Sequence, residues 1–291
     1  MLSTISSATL VRISAIKVSV EIFAQKGVPQ AVIVGLPDTV VKESINRIYA
    51  AIKNSKFETP PRKLTINLAP ANITKEGPLL DLGIAIGILQ ATQQLQLTPN
   101  DLFIGELSLS GDIKAIQGIL CICELAQKLN INRLFIPKDN LKEAAMISPL
   151  PLIGVQSLRD VTTAIEKKQH PIPQPPLPLN VKETHLNFKD VKGQLLTKRA
   201  LQIAAAGHHN VLMIGPPGSG KTMLAKRIPS LLTPLSIPEA IECCKLHSIT
   251  LNTFTTDTLT LNRPFRSPHH SISYAGMAGG GTKPKPGEIS L

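Results

Sequence analysis

Eight consecutive residues, Gly215-Pro216-Pro217-Gly218-Ser219-Gly220-Lys221-Thr222, carry the clearest chemistry in the sequence. They fit the spacing GxxxxGK[ST], in which glycines let backbone N–H groups turn inward around phosphates, a lysine supplies a point charge, and a hydroxyl reaches Mg²⁺. ATP with Mg²⁺ is the expected ligand. The flanks agree: Val211-Leu212-Met213-Ile214 predicts a buried strand, and Lys221 to Ile228 predicts a helix whose positive N-terminus meets the anion. Hydrolysis needs more, namely an acid at the end of a second apolar strand to hold the metal and position water. Downstream of Lys221 the acids are Glu239, Glu242, Asp257 and Glu288, and none follows four apolar residues of strand type. The chain alone is therefore expected to bind nucleotide without turning it over.

Other reactive side chains form looser patterns. From Arg263 to Lys285 there are four cations, Arg263, Arg266, Lys283 and Lys285, no acid, and the run Gly279-Gly280-Gly281. A flexible cationic segment suits a phosphate backbone held without base reading, which makes these four candidate DNA contacts; a solvated connecting loop is the plainer alternative. The pairs His208-His209 and His269-His270 lack a third ligand nearby, and adjacent side chains on an extended chain point apart, so metal binding is not expected. Cys121, Cys123, Cys243 and Cys244 lack zinc-finger spacing and sit among apolar residues, as buried free thiols would.

Holding these groups requires a packed frame. The chain has 291 residues, 43% of them apolar, enough to bury a core in each of about two domains. Aromatics make up only 3%, with no Trp, which argues against single-strand binding on a platform of stacked rings. Of the net charge of +11, the part from Val181 onward holds +7, from thirteen Lys/Arg against six Asp/Glu, so the second half is the better polyanion contact. The opening MLSTISSATLVRISAIKVSVEI has neither a basic segment followed by a continuous apolar run nor a span of membrane length, so no membrane association and a cytoplasmic location are expected.

A proline-rich stretch, KKQHPIPQPPLPLN from Lys167 to Asn180, cannot form a helix or a central strand and reads as a semi-rigid linker. Before it, Leu64, Ile66 and Leu68 alternate as in a half-buried strand, as do Leu107 and Leu109 ahead of the turn Ser110-Gly111-Asp112. Asp38 is placed to cap a helix with Val41, Ile45, Ile48 and Ile52 on one face, and Gly83 to Gln94 reads as a buried helix. Helix Gly118 to Leu129, strand Arg133 to Ile136, strand Leu152 to Val155 and helix Ser157 to Lys167 follow. Beyond the linker, a helix from Gly193 to Ala206 leads to the Val211 strand. The mixed order predicts an α/β or α+β first domain.

Several segments resemble the magnesium-chelatase-like AAA+ family of the ComM/YifB type. They are Phe188-Lys189-Asp190-Val191-Lys192-Gly193-Gln194, Arg263-Pro264-Phe265-Arg266-Ser267-Pro268-His269-His270, and Pro286-Gly287-Glu288-Ile289. In the first domain they are Ile33-Val34-Gly35-Leu36-Pro37-Asp38, Asn67-Leu68-Ala69-Pro70-Ala71 and Lys75-Glu76-Gly77-Pro78. The resemblance implies a cytoplasmic bacterial ATPase that assembles as a homo-hexameric ring and moves DNA, acting in branch migration during natural transformation. The chelatase relatives instead drive metal insertion into a porphyrin.

It also implies a division into a Lon-protease-like (ribosomal S5-like) domain at 1–167, a linker at 168–181, and the N-terminal part of an AAA+ module at 182–291, stopping before the acidic Walker B strand. The Lon-type serine and lysine fall at Leu79 and in Leu120-Cys121-Ile122, which can supply neither nucleophile nor base, so a partner-binding or ring-building role is expected in place of peptidase activity. In this family the strands flanking Val211–Ile214 come later in the chain. The strand would lack neighbours at both edges, each unpaired buried group costing about 1 to 3 kcal/mol, and the second domain is expected to be poorly ordered; the alternating run Ile249 to Phe254 is its first candidate partner. A non-enzymatic partner-binding fragment and a chelatase-type motor are the alternatives.

Overall fold

The computed structural model describes the chain except for residues 148, 173, 176–177, 181–185, 251–257 and 282–285. It divides into two units, Met1–Leu177 with Lys245–Thr256, and Pro178–Cys244 with Asp257–Leu291.

In the first unit, strands β1 (Leu2–Val11), β2 (Ser14–Gln25), β3 (Gln30–Val34) and β4 (Lys63–Ala69) join β5 (Asp101–Phe103), β8 (Arg133–Pro137) and β9 (Leu152–Val155) in a seven-stranded sheet of order β3-β4-β2-β1-β5-β8-β9. A small hairpin, β6 (Glu106–Leu107) with β7 (Ile113–Lys114), stands apart. The pairings β3–β4, β1–β5, β5–β8 and β8–β9 are parallel, while β1–β2 and β2–β4 are antiparallel, so the unit is mixed α/β with a mainly parallel sheet.

Helices α1 (Thr39–Asn54), α2 (Asp81–Ala91), α3 (Ile119–Lys128), α4 (Leu141–Ala144) and α5 (Leu158–Glu166) complete the unit. Asp38 caps α1 as its position predicts, its Oδ1 accepting from Val41 N at 2.8 Å. Val41, Ile48 and Ile52 of α1 are buried in the core, with the partly buried Ile45 packed against it. Ser157 and Asp160 close a reciprocal capping box at the start of α5. Helix α2 is apolar on every side and almost wholly buried, and it lies close on the sheet because Gly87 has no Cβ: one would come within 2.7 Å of Ile22 Cδ1. Among the described residues no helix is long and apolar enough to cross a membrane.

The expected strand through Leu107 stops there and Leu109 is exposed, because the turn at Ser110-Gly111-Asp112 follows at once. β1, β2, β3 and β5 had no sequence assignment, and β1 and β2 are the longest strands. In β1 the buried polar residues Ser3, Ser7 and Thr9 break the apolar alternation that would have marked it; β2 does carry that alternation, with Val18, Val20, Ile22 and Ala24 buried. Ser3 and Ser7 offset their burial by donating to Gly87 O at 2.9 Å and Phe103 O at 2.8 Å.

Three of the segments that carried the family resemblance meet at one side chain. Lys75 is fully buried, and its Nζ donates to Gly35 O at 3.0 Å and to Pro70 O. Its backbone pairs with Leu36 O and Asp38 N, and Asp38 Oδ2 accepts from Gly77 N at 3.3 Å. Lys75, Leu36 and Asp38 thereby lock the end of β3 to the loop after β4.

The second unit contains β10 (Leu179–Asn180) paired with β11 (Leu259–Thr260), helices α6 (Leu195–Ala206) and α7 (Lys221–Ala225), the start of α8 (Ile237–Thr250), and α9 (Tyr274–Ala278). From Lys245 onward α8 belongs to the first unit, where Lys245 pairs with Glu124 at 2.8 Å. A small core of Phe188, Val191, Leu201 and Leu224 holds the second unit, with Met213, Ile228 and Leu231 against it.

Two expectations are corrected here. Val211–Ile214 is not a strand: no β-partner lies beside it among the described residues, and Leu212 and Ile214 are 84% and 88% exposed. Of the run offered as its partner, Ile249 and Thr250 belong to α8, and the remainder lies outside the described residues. The helix after the loop ends at Ala225 instead of Ile228, because Pro229 has no N–H to donate to Ala225 O; a short 3₁₀ turn, Ile228–Leu231, follows.

Candidate nucleotide-binding site

The loop Gly215–Gly220 hangs between the extended Val211–Ile214 and α7, whose Leu224 is anchored beside Phe188 and Val191 in the small core. Gly218 and Gly220 adopt φ of +81° and +83°, in the left-handed region that favours glycine, and so turn the chain sharply before the helix. Gly220 then caps α7. Pro216 and Pro217 have no N–H to offer. Among the described residues nothing accepts from the N–H of Gly218 or Gly220, and the first N–H groups of α7 have no partner within the helix.

Lys221 is folded back on the loop. Its Nζ donates to Gly215 O at 2.7 Å, Pro216 O at 2.8 Å and Ser219 Oγ at 3.3 Å, so the ammonium is held over the loop's own oxygens. Thr222 is exposed at the start of the helix. An ammonium on carbonyls, unpaired N–H donors and a hydroxyl within eight residues fit a polyphosphate, which offers several anionic oxygens to the same groups.

One further residue supports the loop. Gln194, in left-handed geometry at the start of α6, donates from Nε2 to Ser219 O at 2.9 Å. Sequence reasoning gave it no role; its place at the end of Phe188-Lys189-Asp190-Val191-Lys192-Gly193-Gln194 was the available signal. Phe188 and Val191 of that segment supply half of the small core behind α7.

The acids considered for metal and water lie elsewhere in the hydrogen-bond pattern. Glu239 accepts from Ser236 N and Oγ, both at 2.8 Å, at the start of α8, which lowers its pKa. Glu288 forms a two-pronged pair with Arg266, at 2.7 and 2.6 Å, which lowers its own pKa. Glu242 sits on α8, and Asp257 is outside the described residues.

Among the basic candidates, Arg263 donates to Thr233 O at 2.8 Å and Arg266 is occupied by Glu288; Lys283 and Lys285 lie outside the described residues. The rings of His269 and His270 do not point apart as an extended chain would place them. They lie 4.1 Å apart, because the chain turns there and His269 Nδ1 meets Ser271 Oγ at 2.7 Å. Among the described residues no three His, Cys, Asp or Glu side chains gather as metal ligands would. Cys121 and Cys123 are buried, but Cys243 and Cys244 are only half-buried, contrary to the expectation for all four.

Comparison with known proteins adds the family. Residues 187–291 match the family described as magnesium chelatase, subunit ChlI, and residues 20–140 match that described as subunit ChlI of Mg-chelatase. The competence protein ComM of Haemophilus influenzae is 41% identical across all of this chain, which covers 58% of that protein. The uncharacterized protein YifB of Escherichia coli is likewise 41% identical over the whole chain, covering 57% of its length. The uncharacterized protein Rv2897c of Mycobacterium tuberculosis is 35% identical over 94% of the chain and 55% of its own length. The chain thus spans a little over half the length of the curated relatives it matches.

A mixed α/β unit joined to a GxxxxGK[ST] loop, with these relatives, defines an AAA+-like member of an ATP-binding family. The two family matches and the 41% identity over the full chain support a ComM/YifB-type, magnesium-chelatase-like protein.

Proposed function

We propose that Gly215 to Thr222 bind the phosphates of ATP, with Lys221 as their charge partner and Thr222 as the protein's hydroxyl ligand to the accompanying Mg²⁺. The observation that carries this reading is the Lys221 ammonium resting on Gly215 O and Pro216 O beside the N–H groups of Gly218 and Gly220, which have no acceptor among the described residues. In that role Lys221 exchanges two neutral carbonyls for anionic oxygens, and Gln194 holds the Ser219 carbonyl away from the ligand. Bound Mg²⁺ would offset phosphate charge; of the four acids that could complete its shell, Glu239 is engaged with Ser236 and Glu288 with Arg266.

In domain terms, we read 1–167 as a Lon-protease-like module, 168–181 as the linker and 182–291 as the N-terminal part of an AAA+ module. At the positions of the Lon-type nucleophile and base, Leu79, Leu120 and Ile122 are buried hydrocarbons, which favours a binding role over peptidase chemistry. For the whole protein we propose ATP-driven DNA remodelling by a cytoplasmic homo-hexamer linked to competence, a reading supported by the relative whose name is competence protein. Arg263, Arg266, Lys283 and Lys285 are the proposed DNA contacts; Arg266 must exchange Glu288 for a phosphate to serve as one. A second reading, a motor for metal insertion, takes its support from the chelatase subunit that names the family.

The test is equilibrium binding of a fluorescent ATP analogue to the 291-residue chain. Lys221→Ala removes a charged donor contributing about 1.5 to 3 kcal/mol, so affinity is expected to fall about ten- to a hundredfold. Binding that survives this change undiminished would reject the site.

A further inference from the structure

The two edges of the seven-stranded sheet are finished differently. β9 is buried, with the Leu141 side chain seated on Gly154, where an added Cβ would lie 2.2 Å from Leu141 Cδ1. β3 is bare. It pairs with β4 on one side, and among the described residues no strand lies on the other, which leaves alternate N–H and C=O groups of Gln30-Ala31-Val32-Ile33-Val34 without a ladder partner.

Protein edges are ordinarily blunted by a charge, a proline or a bulge. Between Gln30 and Val34 there is no charged residue and no proline, and the register with β4 runs unbroken from Gln30↔Lys63 to Val34↔Asn67. Val32 and Val34 are 38% and 41% exposed, and the more exposed Val28 and Leu36 extend the apolar rim beyond both ends.

Charge around the strand is polarised. At the Gln30 end lie Lys63, its partner in register, with Arg62 beside it and Lys26 next to Gly27, where an added Cβ would meet Lys63 Cβ at 3.5 Å. Beyond the Val34 end the chain bridges from Pro37 to Lys75, whose side chain is buried, which brings Asp38 and the exposed Glu76 together.

We infer that β3 is an interaction surface for a second copy of this chain, pairing antiparallel with the β3 of that copy about a two-fold axis that passes between the two strands. Antiparallel pairing sets the basic end of each strand beside the acidic end of the other, whereas parallel pairing sets like ends together. It also places Val32 and Val34 of the two copies on one continuous sheet and satisfies the open backbone groups of both edges at once. An unrelated extended peptide would satisfy the backbone groups but gives no reason for the two-ended charge pattern.

The experiment is sedimentation of the full 291-residue chain up to about a hundred micromolar, the range in which small interfaces show themselves. A dimer whose dissociation constant rises at least about tenfold in Val32→Lys, a substitution at an exposed position, and which weakens with added salt, is the expected result. A wild-type chain that stays monomeric overturns the inference. So does association that Val32→Lys leaves unchanged, since it must use another surface. A second measurement needs no variant: amide exchange at those N–H groups of Gln30 to Val34 that do not pair with β4 should slow as wild-type concentration rises, and exchange independent of concentration across the whole strand would count against β3 pairing in the same way.

Discussion

Among single residues, the buried acids make the sharpest prediction. Glu143, on α4, is almost wholly buried; burial pushes its pKa up to about 7, against the opposing pull of the Asn140 amide at 3.4 Å. Asp81, buried beside Arg47, is raised to about 6 for the same reason, although Arg47 at 2.8 Å and Leu107 N pull it down. An acid whose folded pKa exceeds its unfolded one binds its proton more tightly in the folded state. Stability is then greatest at acid pH and is lost as pH rises from the ordinary carboxylate value through the folded pKa. For Glu143 the window runs from the ordinary glutamate value of 4.5 to about 7, and the loss is at most about 3 kcal/mol. The urea midpoint of the wild-type chain should therefore drop between pH 5 and pH 8, and Glu143→Gln should flatten that drop while leaving the share due to Asp81. An equal pH slope in the variant would show that Glu143 does not carry it. Neither acid was legible in sequence, since what matters is the hydrocarbon that surrounds them.

Elements were legible where local rules act alone. The caps of α1 and α5 lie where Asp38 and Ser157 put them, because a cap needs only a side-chain oxygen and the next few N–H groups. Ser157→Ala is expected to cost about 1 kcal/mol, and Asp38→Ala more, up to about 2, since Asp38 also holds Gly77 N–H; urea midpoints of the two variants check the order. The candidate loop was legible for a similar reason, as its eight residues carry their own geometry. What was not legible depends on distant partners. β1 escaped because Ser3 and Ser7 interrupt its apolar alternation, and their burial is tolerated only through carbonyls 84 and 96 residues away. Val211–Ile214 has the composition of a strand, but composition does not supply the neighbouring ladder, and without one the segment lies open.

On the scale of the whole chain, the two units differ in what covers their apolar residues. In the first, one continuous core runs from Ile5 through Leu64 and Ile86 to Ile165; in the second, four residues form the described core while Leu196, Leu212 and Ile214 face outward. Native-state amide exchange should therefore be slow at Leu64 to Leu68 and close to that of an unfolded chain at Val211 to Ile214, and equal protection would contradict this division. The same contrast gives Lys75 a use. Its amine sits under the junction of β3 and the loop after β4, fully covered, and burial holds its pKa below the ordinary lysine value. An acylating reagent cannot reach that nitrogen while Gly35, Leu36 and Pro70 stay in place, whereas exposed lysines such as Lys26 are modified at once. The slow appearance of label at Lys75, read by peptide mass, is thus a clock for how often this corner of the sheet comes apart.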